Sequence, residues 1–254
     1  MKVLILFFST LFIAASCHFT IDSSDGGSQT NQTDGKGRKQ GYWIDTIENI
    51  KSVGFYLDDK KDGSWITYHK NDLVQFVENY NEGKKNGAFI EIDSRGYLVS
   101  EQFYVNDQKH GAYRVYERGS RLILEENYIS GKLEGLKRAF YASGTLQEES
   151  EHKNGIKNGL SKWYTQNGNL IAEYLYVDGK FEGTQKTFYE NGALLTEETY
   201  VNNNREGEHR EYHLNGKVKE EGLFKDNLKH GIWKVYDEDG NLVSEKTFDQ
   251  GIEK

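Results

Sequence analysis

Seven glutamates stand 24 residues apart: Glu101, Glu125, Glu149, Glu173, Glu197, Glu221 and Glu245. They are the first residues to weigh for chemistry, because a pair of positioned carboxylates is the machinery of glycoside hydrolysis. On equivalent strands of a hairpin repeat, neighbours in this column would stand about 10 Å apart. A retaining pair needs about 5 Å and an inverting pair about 6.5–9.5 Å. Every rung would also share the same surroundings, which cannot separate a proton donor from a base. The column therefore reads as a solvated charge ladder that keeps the protein soluble. Tandem pairs such as Glu125-Glu126 and Glu148-Glu149 point to opposite faces of a strand and form no dyad.

The seven histidines make no better site. His209 and His213 have the i, i+4 spacing that chelates zinc on a helix, but on a strand they would lie about 13 Å apart. His110 and His230 share an exposed position with Asn86, Glu134 and Glu182, and His152 replaces an aromatic of the core. A single cysteine allows no internal disulfide and no cysteine-based zinc site. No glycine-rich phosphate loop opens a helix, and no nucleophile elbow is present. The expectation is a non-enzymatic protein with no catalytic residue, no metal and no cofactor. A formal charge of −8 argues against nucleic acid as a partner.

That cysteine, Cys17, is the most informative single residue. Lys2 supplies a positive charge, Val3 to Ala15 is an apolar run, and Ala14-Ala15-Ser16 brings small residues to the cysteine. The run is too short for the ~20 residues of a membrane span and reads as an export signal. The pattern resembles a bacterial lipobox, which implies cleavage before Cys17 and lipidation of its sulfur. Residues 1–16 are then the lipoprotein signal peptide. Residues 17–36, rich in Ser, Thr, Asp, Asn, Gln and Gly, form a flexible tether that holds the domain roughly 25 Å from the membrane. The resemblance places the protein at the bacterial envelope, and His18 after the cysteine points to the outer membrane.

Residues 37–254 are periodic. Gly63, Gly87, Gly111, Gly135, Gly159, Gly183, Gly207 and Gly231 are each 24 apart, and Gly41 precedes them by 22. A second series runs through Gly96, Ser120, Gly144, Gly168, Gly192, Gly216 and Gly240. Three apolar columns keep the phase, headed by Tyr68, Val74 and Tyr80. Each unit holds two β-prone runs separated by turn residues, so the unit is a hairpin and about nine of them, the last truncated, make an antiparallel meander. The fold class is all-β: an elongated, twisted, single-layer ribbon stabilised repeat by repeat.

Two registers compete. A two-residue Asn-Gly turn would pair Lys162 with Glu173, Arg114 with Glu125 and Arg138 with Glu149. A three-residue loop with glycine in the left-handed position would pair Tyr164 with Leu170 and put all three apolar columns on one face. The second is preferred, because Arg95 and Ser143 tolerate positive φ poorly and because one apolar face gives the sheet something to bury.

The tyrosine-rich strand, the turn Asn167-Gly168-Asn169-Leu170, the glutamate and the stretch Tyr176-Val177-Asp178-Gly179-Lys180-Phe181-Glu182-Gly183 resemble the MORN repeat family, in the bacterial variant found in YwqK-type antitoxins. The resemblance covers about residues 41 to 254 and implies a hairpin-repeat scaffold. The antitoxin label implies a partner protein in the cytosol, whereas the export signal implies the envelope. Asp59, Asp107, Asn203 and Asn227 replace a turn glycine and tolerate its left-handed geometry.

What remains for function is surface. Trp65, Phe89, Tyr113 and Trp233 fall two residues after the first glycine, on the face opposite the expected core, where exposed aromatics could anchor a protein or stack on sugar rings. The expected function is a lipid-anchored scaffold for an envelope protein. The alternatives are a module binding cell-wall glycan and an antitoxin-like protein.

Overall fold

The computed structural model describes residues 30–254. The expected signal peptide, Cys17 and the tether up to residue 29 lie outside them. The described residues contain strands and no helix, arranged as one open antiparallel sheet in which each strand pairs with its neighbours in sequence. The end of the expected tether is structured instead: Gln32–Thr33 pairs with Lys39 and Gln40, and Arg38 closes the loop on Asp34 at 2.6 Å.

Two kinds of connection alternate. Within a repeat, three residues bridge the strands. The amide of Thr165 donates to the Asn169 carbonyl, that of Gly168 to the Thr165 carbonyl, and Gly168 sits at φ 85°. Between repeats the turn is two residues long, as at Asp178-Gly179, with φ of 48° and 79°. Positive φ at both positions matches the right-handed strand twist. Asp59, Asp107, Asn203 and Asn227 occupy this turn at φ of 66–70°.

Both competing registers are present in each hairpin that carries the three-residue loop. Tyr164 pairs with Leu170 at the loop, yet Lys162 pairs with Glu173, because Ile171 is an extra residue bulged out between them. One bulged residue reverses the alternation of every side chain beyond it. The Tyr68 and Val74 columns therefore share one face, but the Tyr80 column turns to the other, joining Trp65, Phe89, Tyr113 and Trp233. The expectation of three apolar columns on one face fails for that reason. The 24-residue glycine series also lies in a bulge rather than in a turn. Beside Gly159, the strand Ile156–Tyr164 carries two extra residues against Ser150 and His152.

The 22-residue first step has the same origin. Tyr42 pairs with Phe55 and Ile47 with Ile50 in unbroken register through the two-residue turn Glu48-Asn49, so this hairpin lacks both the longer loop and its bulge.

Neighbouring repeats are tied at both edges. Each two-residue turn between repeats donates an amide to the carbonyl of the strand residue just beyond the turn before it, as from Gly179 to Lys157 at 2.8 Å. Where the turn residue is Asp or Asn its side chain returns the bond, as when Asp107 Oδ1 accepts the Lys85 amide at 2.8 Å. At the opposite edge, Tyr141 and Tyr189 hydroxyls donate to the carbonyls of Tyr164 and Tyr212.

Two strand glycines make room for indoles: a Cβ on Gly54 would clash with the Trp65 ring, and one on Gly222 with that of Trp233. Gly222→Ala is expected to cost about 1–3 kcal/mol by overpacking. An unchanged urea midpoint would show that the indole does not pack there.

Candidate functional site

The sheet presents two chemically different faces. On one, Trp65 meets the Tyr56 ring edge-on at 4.8 Å between centroids, Phe89 lies 5.5 Å from Tyr80 and 4.9 Å from Tyr104, and Trp233 lies 5.0 Å from Phe224. The indole N–H of Trp65 donates to the Phe55 carbonyl at 3.0 Å, and that of Trp233 to the Leu223 carbonyl at 3.1 Å.

A column of cations, four residues before the Trp65 column, covers these rings. Lys61 Nζ sits 4.5 Å from the Trp65 ring and 5.0 Å from that of Tyr80, Lys109 4.1 Å from Tyr113, and Lys229 3.7 Å from Trp233. Amine over ring is favourable, and the lysine stems exclude water from the aromatics.

The four aromatics expected as surface contacts are therefore wall rather than surface. Trp65 is 1% exposed, Phe89 6% and Trp233 3%, while Tyr113 is half-buried under Lys109. The bulge turned a second aromatic column onto their face and the lysines closed over both. The sequence signal for this was the lysine at the same phase: Lys61, Lys85, Lys109, Lys157 and Lys229.

The aromatic column breaks in its middle. Ser161 takes the place of Trp65, and Trp163, two residues on, supplies the ring, with Lys157 4.6 Å above it. The hydroxyls of Ser161 and its cross-strand neighbour Ser150 are buried without a hydrogen-bond partner. His209 also stands in this column. It stacks on Trp233 at 5.3 Å, and its Nδ1 lies 3.0 Å from Glu198. The His209 contact, opposed by burial and helped by the Tyr200 hydroxyl, holds the Glu198 carboxyl below the ordinary range. His213 instead reaches the Tyr236 carbonyl at the loop edge, and no metal-holding group of three occurs among the described residues. His152 is half-buried on the aromatic face, and burial lowers its pKa.

The other face carries the glutamate ladder. Arg114 bridges Glu101 and Glu125, each at 2.8 Å, Arg138 lies 2.7 Å from Glu149, and Lys162 and Lys186 pair with Glu173 and Glu197 at 3.2 and 3.0 Å. Tyrosine hydroxyls complete the rungs: Tyr116 donates to Glu101, Tyr212 to Glu197 and Tyr236 to Glu221, each at 2.8 Å. Burial acts to raise the pKa of Glu101 and Glu197, but bonds from Arg114 and Tyr116, and from Lys186 and Tyr212, outweigh it and pull both carboxyls below their usual value. Burial and the Glu101 carboxylate push the Tyr116 hydroxyl up to about 12. Glu101 and Glu197, held this way, keep their charge at neutral pH.

Residues 133–154, 157–178, 181–202, 205–226 and 229–250 match the MORN repeat variant, five repeats in tandem. Each matched segment starts just beyond one two-residue turn and ends on the first residue of the next. Lys61–Glu82, Lys85–Asn106 and Lys109–Ser130 occupy the same places in earlier units. No curated protein matches the chain. The chain is thus a hairpin-repeat protein that carries five MORN-variant repeats.

Two outcomes check this arrangement. Trp65→Ala should cost about 3–5 kcal/mol, as removal of a buried indole does; an unshifted urea midpoint would return the ring to the surface. Because the folded-state pKa of Glu197 lies below its unfolded value of 4.5, its contribution is present above that value and lost as pH falls through the folded pKa. Glu197→Gln should therefore lower stability by about 0.5–1 kcal/mol at pH 7 and by much less in acid. An equal loss at both pH values would exclude the ion pair as its source.

Proposed function

We propose that this protein is a non-enzymatic repeat scaffold, held at the bacterial envelope by a lipid on Cys17, that binds another protein along its sheet. MORN repeats commonly mediate protein or membrane interaction. The observation that carries the reading is the commitment of the charged groups to the scaffold itself: the glutamate column is tied to Arg, Lys and Tyr on one face, and the aromatics are tied to lysines on the other. The recesses between neighbouring aromatic rungs hold about 100–120 Å³, below the ~300–1,000 Å³ of small-molecule sites, whereas a hollow at the loop edge lined by Ile50, His69, Asn71 and Ser94 reaches about 430 Å³. A long repeated surface suits an extended protein ligand better than a compact substrate. The glycan reading loses its support, because the indoles it relied on are covered.

The address and the partner are separately testable. In the native bacterium, an alkyne-tagged palmitate should label the wild-type chain and not Cys17→Ala, with the variant leaving the membrane fraction. Equal labelling of both chains would remove the anchor. Photo-crosslinking in intact cells should yield one reproducible heterologous adduct, and recovery of self-adducts alone would remove the partner.

A further inference from the structure

One row of directly paired residues crosses the whole sheet on the glutamate face, and it changes character partway. It begins Ile44, Val53, Ile66, Val77, Ile90, each opposite the next. Ile90 then pairs with Glu101, and from there glutamate alternates with arginine or lysine through Arg114, Glu125, Arg138 and Glu149 as far as Lys234 and Glu245. The first strands therefore lack the paired charges that cover this face elsewhere.

The columns beside these aliphatics are apolar too. Tyr42 pairs with Phe55, their rings 5.5 Å apart, and the pairs Tyr68–Val74 and Ile92–Leu98 lie toward the loops. Phe55 and Leu57 are 47% and 52% exposed. Charges stand at the margins, where the Lys51 amine lies 5.6 Å from the Tyr68 ring and Asp62 accepts the Glu82 amide. Among the described residues no second layer lies over this face.

Shape and charge select the occupant. From Lys39–Ile47 across to Leu98–Val105 the face measures about 24 Å, and it runs about 26 Å along the strands. That footprint of about 600 Å², before side-chain relief is counted, approaches the ~800 Å² that each partner gives to a standard interface. A single α-helix, about 10–12 Å wide, would leave half of it open, whereas a second sheet about 10 Å away would cover it. Residues 18–29 hold Phe19 and Ile21 as their large apolar side chains, too few for the task. The chain's own sheet fits: a twofold axis sets the aliphatic row against its own copy, neutral against neutral, although the chain as a whole carries −8.

Electrostatics fix the direction. A twofold axis along the ribbon would lay ladder on ladder and strip water from ions that are already paired, which is unfavourable. An axis along the strands runs the two ribbons in opposite directions. The aliphatic ends then overlap, and each ladder leaves the contact beyond Glu101. We infer that two copies of this chain pack face to face through the row Ile44–Ile90, head to head, with their charge ladders pointing apart. This contact goes beyond the scaffold reading and leaves both aromatic faces on the outside.

The full chain carrying Cys17→Ser, which removes any lipid from that residue, should sediment as a reversible dimer. Ile66→Lys/Val77→Glu/Ile90→Arg writes the later ladder into the first strands, a pattern the fold already accepts at Lys162–Glu173 and Arg114–Glu101. Circular dichroism and melting should stay unchanged while the dimer dissociation constant rises at least tenfold. Independently of that variant, Ile66→Cys, near the axis, should give a disulfide-linked dimer on mild oxidation. Val201→Cys, 41% exposed on the same face but beside the ladder, should not. A parent chain that stays monomeric, a triple variant that dimerises as the parent does, or equal linking at both cysteines overturns the inference. A photo-crosslinker at Ile66 that captures a heterologous protein and no second copy overturns it too, while leaving the scaffold standing; a dimer with no heterologous adduct anywhere does the reverse.

Discussion

The structure depends on one extra residue in each hairpin after the first. Without the bulge at positions such as Ile171, the side chains of a strand would keep strict alternation, and the columns headed by Tyr68, Val74 and Tyr80 would crowd one face. With it, tyrosine and leucine stay together near the three-residue loop, and the glutamate and its cation meet beyond the bulge. The second aromatic column turns over to join the indoles. A single sheet has no second layer to cover either face. The bulge solves this by giving each face its own covering, lysine stems on one side and paired charges on the other.

This arrangement also accounts for the composition. Hydrophobic residues make up only 36% of the chain, low for an all-apolar core of this length. Burial here is shared with amphipathic groups: a lysine amine over an indole, an arginine spanning two glutamates, a tyrosine hydroxyl on a carboxylate. Each is modest alone, since exposed or half-exposed pairs contribute about a kcal/mol or less. Their value lies in recurrence, because every rung supports the rung on either side.

Much of the fold was legible in the sequence because period and turn chemistry are local. The 24-residue spacing, the three-residue loop with glycine in the left-handed region, and the Asp or Asn substitutes in the two-residue turn could all be read from residue types. The face assignment could not be read from them. A one-residue bulge leaves no mark in composition, and Ile171 looks like any strand residue, yet it decides on which side Tyr176 lies. The same parity error made Trp65 and Trp233 look exposed. The clue that would have corrected it was the coexistence of two good registers, Tyr164 with Leu170 and Lys162 with Glu173, which only a bulge reconciles. Ser161 was equally opaque, since its burial depends on Trp163 moving the ring two positions along.

The hydrogen bonds from each turn to the repeat before it carry a kinetic consequence. They join residues about one repeat apart, such as Gly179 and Lys157, and the strand pairings never reach further. Topologies with such short loops to close fold faster than β-proteins built on distant pairings. Each hairpin can therefore dock onto the one before it as soon as both are free to fold, without waiting for the C-terminus, and the growing sheet exposes a single incomplete edge at any moment.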